Sequence, residues 1–141
     1  MKTILVAEDE ETIRNCLCLM LSRLMPDCLV LDASDGAEAV EILRRRPVDL
    51  LVTDLNMPEL DGFGVIEQAR QELPAILVYV MTGYCEFEDR ERLRLLGMSR
   101  YFEKPFSFGT MAEIALADLG LARRSRERRT LQPGVVSCLA Q

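Results

Sequence analysis

A chain of 141 residues that is 49% apolar and 28% charged suits one globular domain with a real core. The net charge is −6, with 12 basic against 22 acidic side chains in residues 1–120 and five arginines against one glutamate in residues 121–141, so the body is a poor partner for nucleic acid. There is no histidine, which removes His bases, His-activated nucleophiles and His metal ligands, and leaves the chemistry to carboxylates, Lys, Thr and bound ions.

The run Thr3-Ile-Leu-Val-Ala7 predicts a buried strand. Residues 11–24 follow as a helix with Ile13, Leu17, Met20, Leu21 and Leu24 on one face, stopped by Pro26. Leu29-Val-Leu31 is the next strand. Asp35-Gly36 opens a helix carrying Ala39, Val40 and Leu43, with Pro47 after it. Asp49–Thr53 is the third strand, and a polar loop from Asp54 to Gly62 leads into a helix reaching about Glu72. Ala75–Met81 is the fourth strand. A helix near 87–96 ends at Gly97, a left-handed cap. Tyr101-Phe102 marks a short fifth strand, and a last helix runs from about Ser107 to Leu119.

Five strand–helix units of this kind predict an α/β fold, a doubly wound parallel sheet with helices on both faces. The strands read as continuous apolar runs, as strands covered on both sides do. Sites in such sheets form outside the carboxyl ends of the strands. Glu8 and Asp9 follow the first strand there, Asp54 the third, Thr82 and Gly83 the fourth, Lys104 and Pro105 the fifth.

Taken singly, each residue has an ordinary explanation. Asp at a strand end is a turn residue, and Glu8-Asp9 before a helix serves its dipole. A strand-ending Thr reflects β propensity, and a Lys before Pro is a solvated loop charge. Their joint placement carries the functional reading. Three converging carboxylates repel unless a cation offsets them. Oxygen-only ligands select a hard ion, Mg²⁺ before Zn²⁺. A carboxylate beside such an ion is a nucleophile toward phosphorus, with a lysine to clamp the phosphoryl charge and a hydroxyl to bind its oxygens.

Four motifs in order resemble the receiver domain of two-component response regulators, over about residues 2–120: Ile4-Leu-Val-Ala-Glu8-Asp9-Glu10, Asp49-Leu-Leu-Val-Thr-Asp54-Leu-Asn-Met-Pro58-Glu-Leu-Asp-Gly62, Val80-Met-Thr82-Gly83 and Tyr101-Phe-Glu-Lys104-Pro105-Phe106. The resemblance implies a flavodoxin-like fold with strand order 2-1-3-4-5. It implies Asp54 as phosphoacceptor and Lys104 as the partner of the phosphate. Thr82 is then the switch hydroxyl, and Tyr101 the aromatic that changes rotamer with it. Mg²⁺ would be held by Asp9 directly, by Glu8 through a water, by Asp54 and by the backbone carbonyl of Asn56. Glu8 stands where the family often has Asp, and its longer arm favours the water-bridged contact. Asn56 and Tyr84 flank the phosphate and tune its lifetime, Gly83 leaves the phosphoryl path open, and the Lys104–Pro105 bond is cis.

The resemblance further implies a signalling switch that catalyses only its own phosphorylation and dephosphorylation. The phosphoryl donor is a histidine kinase or histidine phosphotransfer protein, because the chain has no histidine of its own. A downstream protein target would read the surface around residues 86–119, and the family also pairs as homodimers through the last two βα units. A cytoplasmic location is expected, since the start lacks a signal peptide and no apolar run approaches the ~18 residues of a membrane span. No output domain is expected within 141 residues, and residues 121–141 read as a basic, partly disordered tail or linker.

Two other classes fit less well. A haloacid-dehalogenase phosphatase also uses a strand-end Asp, but needs a second acid two positions on, where Asn56 stands. A flavin or nucleotide module needs a glycine-rich loop after the first strand, where acidic Glu8-Asp9-Glu10 would repel phosphate. Cys16-x-Cys18 has no partner pair and reads as small apolar packing.

Overall fold

The computed structural model describes residues 1–121, so the Arg-rich stretch expected as a basic tail lies outside the described residues. Ten elements alternate: β1 (Thr3–Ala7), α1 (Glu11–Leu24), β2 (Leu29–Ala33), α2 (Gly36–Arg45), β3 (Leu50–Asp54), α3 (Gly62–Glu72), β4 (Leu77–Thr82), α4 (Phe87–Leu95), β5 (Arg100–Glu103) and α5 (Phe108–Asp118). The five strands form one parallel sheet in the order β2-β1-β3-β4-β5, the flavodoxin-like arrangement.

The continuous apolar strands separate into two alternating sets, because successive side chains leave a strand on opposite faces. Ile4, Val6, Leu50, Val52, Tyr79 and Met81 pack with residues of α1 and α5. Leu5, Ala7, Leu51, Val78 and Val80 pack with α2, α3 and Leu93 of α4. In β5 the split divides neighbours: Tyr101 packs on the α4 side, while Phe102 joins Tyr79, Phe106 and Phe108 on the α5 side.

β2 runs on to Ala33 and β5 spans Arg100–Glu103, each longer than the apolar run expected, and β3 and β4 are shifted. Asp54 is the last residue of β3, paired opposite Met81, because the ladder with β4 continues one residue past Thr53. β4 starts at Leu77 rather than Ala75, because Pro74 has no N–H to give and the Ile76 N–H closes a turn on the Leu73 carbonyl at 3.0 Å.

α2, α3 and α5 are started by side-chain caps. Asp35 accepts from the Glu38 N–H at 2.7 Å, Asp61 from Gly64 at 3.0 Å and Ser107 from Thr110 at 3.2 Å. α1 starts without a side-chain cap. α4 is the least embedded helix, with Leu93 its only buried residue. It ends on Gly97 at φ +82°, where a Cβ would also come within 3.1 Å of the Arg70 guanidinium.

Candidate functional site

All five strands run the same way, so the residues leaving β1, β3, β4 and β5 meet at one edge of the sheet. Glu8, just past β1, is wholly buried, and Asp54 at the end of β3 is 6% exposed, whereas Asp9 faces solvent. Lys104, just past β5, reaches between two of them. Its Nζ donates to Glu8 Oε1 at 2.6 Å and to Asp54 Oδ2 at 2.9 Å. The other Asp54 oxygen accepts from the Asn56 N–H at 3.0 Å. The Lys104–Pro105 peptide is cis, as the resemblance implies.

Burial pushes the Glu8 pKa up to about 8, the adjacent Asp54 carboxyl pushes it the same way, and the Lys104 ammonium pulls it back. Burial also works against the charge on Lys104, but its bonds to Glu8 and Asp54 outweigh that and hold its pKa above the usual lysine value.

One oxygen each of Glu8, Asp9 and Asp54 lies within 4.8 Å of the others. Glu8 Oε2 is buried with no hydrogen-bond partner. Such an orphaned acceptor costs about 1–3 kcal/mol, and a cation seated there would relieve it. The donor set is oxygen alone, which fits Mg²⁺. Among the described residues the cysteines are free, and Cys16 and Cys18 lie against the core as packing.

The remaining predicted residues lie on β4, at its exit and on β5. Thr82 ends β4 fully buried, and its hydroxyl donates to the Tyr84 carbonyl at 3.3 Å. Tyr84 itself is 75% exposed. A Cβ on Gly83 would meet nothing within 4 Å. Tyr101 lies half-buried beneath the Arg90 guanidinium, 4.5 Å from its ring centre.

Three features escape a reading of the sequence. The first is the direct Glu8–Lys104 contact, which joins residues 96 apart. The second is Arg14, bonded to the Glu8 carbonyl, whose only sequence signal is its place in the first turn of α1. The third is Gly62. A Cβ there would sit 2.3 Å from the Asp54 carbonyl oxygen and 2.7 Å from the Leu55 Cα, both backbone atoms. Gly62→Ala will therefore push the β3 exit and cost about 1–3 kcal/mol. A lowered urea midpoint, together with shifted Asp54 and Asn56 amide resonances, checks this, and an unshifted spectrum contradicts it.

Residues 4–116 match the profile of the response regulator receiver domain, and the chain belongs to that family. It is 40% identical over 104 residues to the probable transcriptional regulator ycf27 of Porphyridium aerugineum, covering 74% of this chain and 42% of that protein. It is 39% identical over 106 residues to the alkaline phosphatase synthesis transcriptional regulatory protein PhoP of Bacillus subtilis, covering 75% of this chain and 43% of that protein. The chain thus spans less than half the length of these curated relatives. Among solved structures it resembles a CheY-like receiver domain protein from Methanospirillum hungatei, with TM-score 0.80, 21% identity and coverage of 92% of this chain and 98% of that one. It also resembles the receiver domain of the sensor histidine kinase PA1611 from Pseudomonas aeruginosa, whose active-site cleft coordinates a magnesium ion, with TM-score 0.73, 26% identity and coverage of 84% and 98%. Among the described residues no helix is long and apolar enough to cross a membrane.

Proposed function

We propose that this receiver domain is a phosphoacceptor switch that takes a phosphoryl group onto Asp54 from a phosphohistidine of a histidine kinase or histidine phosphotransfer protein. The observation that carries it is Lys104 Nζ bridging Glu8 and Asp54 beside the orphaned Glu8 Oε2. Glu8, Asp9, Asp54 and the backbone carbonyl of Asn56 would hold Mg²⁺, which when bound supplies positive charge against the carboxylates and the incoming phosphoryl oxygens. An Asp54 carboxylate oxygen forms the new bond to phosphorus. The phosphorus–nitrogen bond of the donor breaks, and its electron pair returns to the imidazole. Lys104 follows the charge, leaving Asp54 for a phosphoryl oxygen while keeping Glu8. The Thr82 hydroxyl, held only at 3.3 Å by the Tyr84 carbonyl, is free to turn to the phosphate, and Tyr101 shifts with it. Asn56 and Tyr84 flank the phosphate and set its lifetime.

A downstream protein then reads the changed surface around residues 86–119, and pairing of two copies would use the same last two βα units. Sensor proteins among the relatives support a kinase partner: EvgS of Escherichia coli is 31% identical over 109 residues.

Acetyl phosphate with Mg²⁺ will add one phosphoryl group, roughly 80 Da by intact mass, to the wild type. Asp54→Asn or a chelator will abolish the gain. A wild-type protein whose mass stays unchanged under these conditions sinks the proposal.

A further inference from the structure

The carbonyl of Glu8 must find a donor, because the chain leaves the sheet there. β1 ends at Ala7, and the Glu8 N–H still bonds across to the Ala33 carbonyl at 3.1 Å. One atom group later the ladder has stopped. Nη1 of Arg14, in the first turn of α1, donates to the Glu8 carbonyl at 2.9 Å instead. The same guanidinium is gripped on its other side by Asp32, with Nε 3.2 Å from Oδ2. Its side chain is only 13% exposed, so it is a packed strut rather than a waving surface charge.

The peptide held in this way joins Glu8 to Asp9, and both of its side chains belong to the acidic cluster. α1 begins without a side-chain cap, so its start contributes no such anchor. A rotation of that peptide would redirect both carboxylates at once.

We propose that Arg14 is a positioning residue for the acidic cluster: braced by Asp32, it clamps the Glu8 carbonyl and so sets the direction in which Glu8 and Asp9 present their carboxylates to Mg²⁺. The inference rests on the Mg²⁺ reading given above. Its value is that charge alone predicts the opposite result. A guanidinium near a cation site repels the cation, so on charge alone its loss tightens Mg²⁺ binding. As a positioning residue, its loss weakens binding. Removing groups that orient metal ligands without touching the metal costs about 10–100-fold.

The test is a titration with MgCl₂, followed by the backbone amide resonances of Asp54 and Asn56, on wild type, Arg14→Gln and Arg14→Lys. Arg14→Gln is expected to bind about tenfold more weakly. Arg14→Lys keeps the charge but cannot span Glu8 and Asp32 together, and is expected to bind more weakly than wild type as well. Should the Gln variant fail to fold, the Lys variant decides. Equal or tighter binding in Arg14→Gln, or wild-type binding in Arg14→Lys, overturns the positioning role. A wild type that shows no saturable shift overturns the Mg²⁺ reading itself, and the inference falls with it.

Discussion

Arg70→Met will lower stability by about 3 kcal/mol and will loosen α4 before the rest of the fold. Arg70 sits near the end of α3, and its guanidinium spends its donors on backbone carbonyls with no carboxylate among its hydrogen-bond partners. Nε donates to the Leu96 carbonyl at 2.9 Å, and Nη2 donates to that of Gly97. Nη1 donates to Ile76 at 2.7 Å and to Pro74 at 3.2 Å. Two of these acceptors close the C-terminal end of α4, where the helix dipole favours a cation. The other two hold the turn that enters β4. Burial pulls the Arg70 pKa below its usual value, which means the charge is kept there at a cost that the four carbonyls offset. α4 is otherwise held by one buried leucine, by Arg90 lying 4.5 Å over the Tyr101 ring, and by Arg92 lying 4.3 Å over the Phe63 ring and 3.2 Å from Glu67. Arg70→Lys keeps the charge but cannot reach both sides, and is expected to lose most of the same stability. Urea midpoints measure the global loss. Hydrogen exchange at residues 93–98 measures the local one, and unchanged protection there would show that α4 is anchored by something else.

The fold was legible because the strands centre on apolar runs, each helix is followed by Pro or Gly, and three helices open on a capping Asp or Ser. Order along the sheet was not in that pattern, and came only with the family resemblance. The site was legible for a similar reason. In a parallel sheet the residue after each strand is delivered to one edge, so Glu8, Asp9, Asp54, Thr82 and Lys104 met by topology alone. What stayed hidden is contact through backbone atoms. Arg14 and Arg70 act on carbonyls, and a carbonyl is present at every position, so its use leaves no trace in residue type. Gly62 is hidden likewise, since the close approach of the Asp54 carbonyl is set by loop geometry. The resemblance makes Lys104 the phosphate's partner, and in the structure it bonds Glu8 and Asp54. The two descriptions agree if one lysine serves both carboxylates before transfer and trades one of them for phosphate afterwards.

Burial, with the adjacent Asp54 carboxyl, makes Glu8 the pH-sensitive member of the site, and Mg²⁺ affinity will rise by up to about tenfold per pH unit from about 6, less steeply as pH nears about 8. With its pKa pushed up to about 8, Glu8 in the metal-free protein carries a proton below that pH. A Mg²⁺ ion needs the carboxylate, so binding must expel that proton, and each unit of pH up to the pKa makes the exchange easier. The sign for stability runs the other way. The ordinary glutamate value is 4.5, so between about 4.5 and about 8 the folded protein holds this proton more tightly than the unfolded chain. The contribution of Glu8 to metal-free stability is thus fully present below 4.5 and is lost as pH rises through about 8. Lys104 stays charged across this window, because its pKa is held above the usual lysine value. Saturating Mg²⁺ will restore what the pH rise removes, so the gap between urea midpoints with and without the ion will widen as pH increases. Glu8→Gln carries no titrating proton, and will flatten both the affinity and the stability profiles across this range. An affinity that stays constant from pH 6 to 8 in the wild type would mean that Glu8 is already ionised in the metal-free protein, and that Lys104 alone offsets its burial.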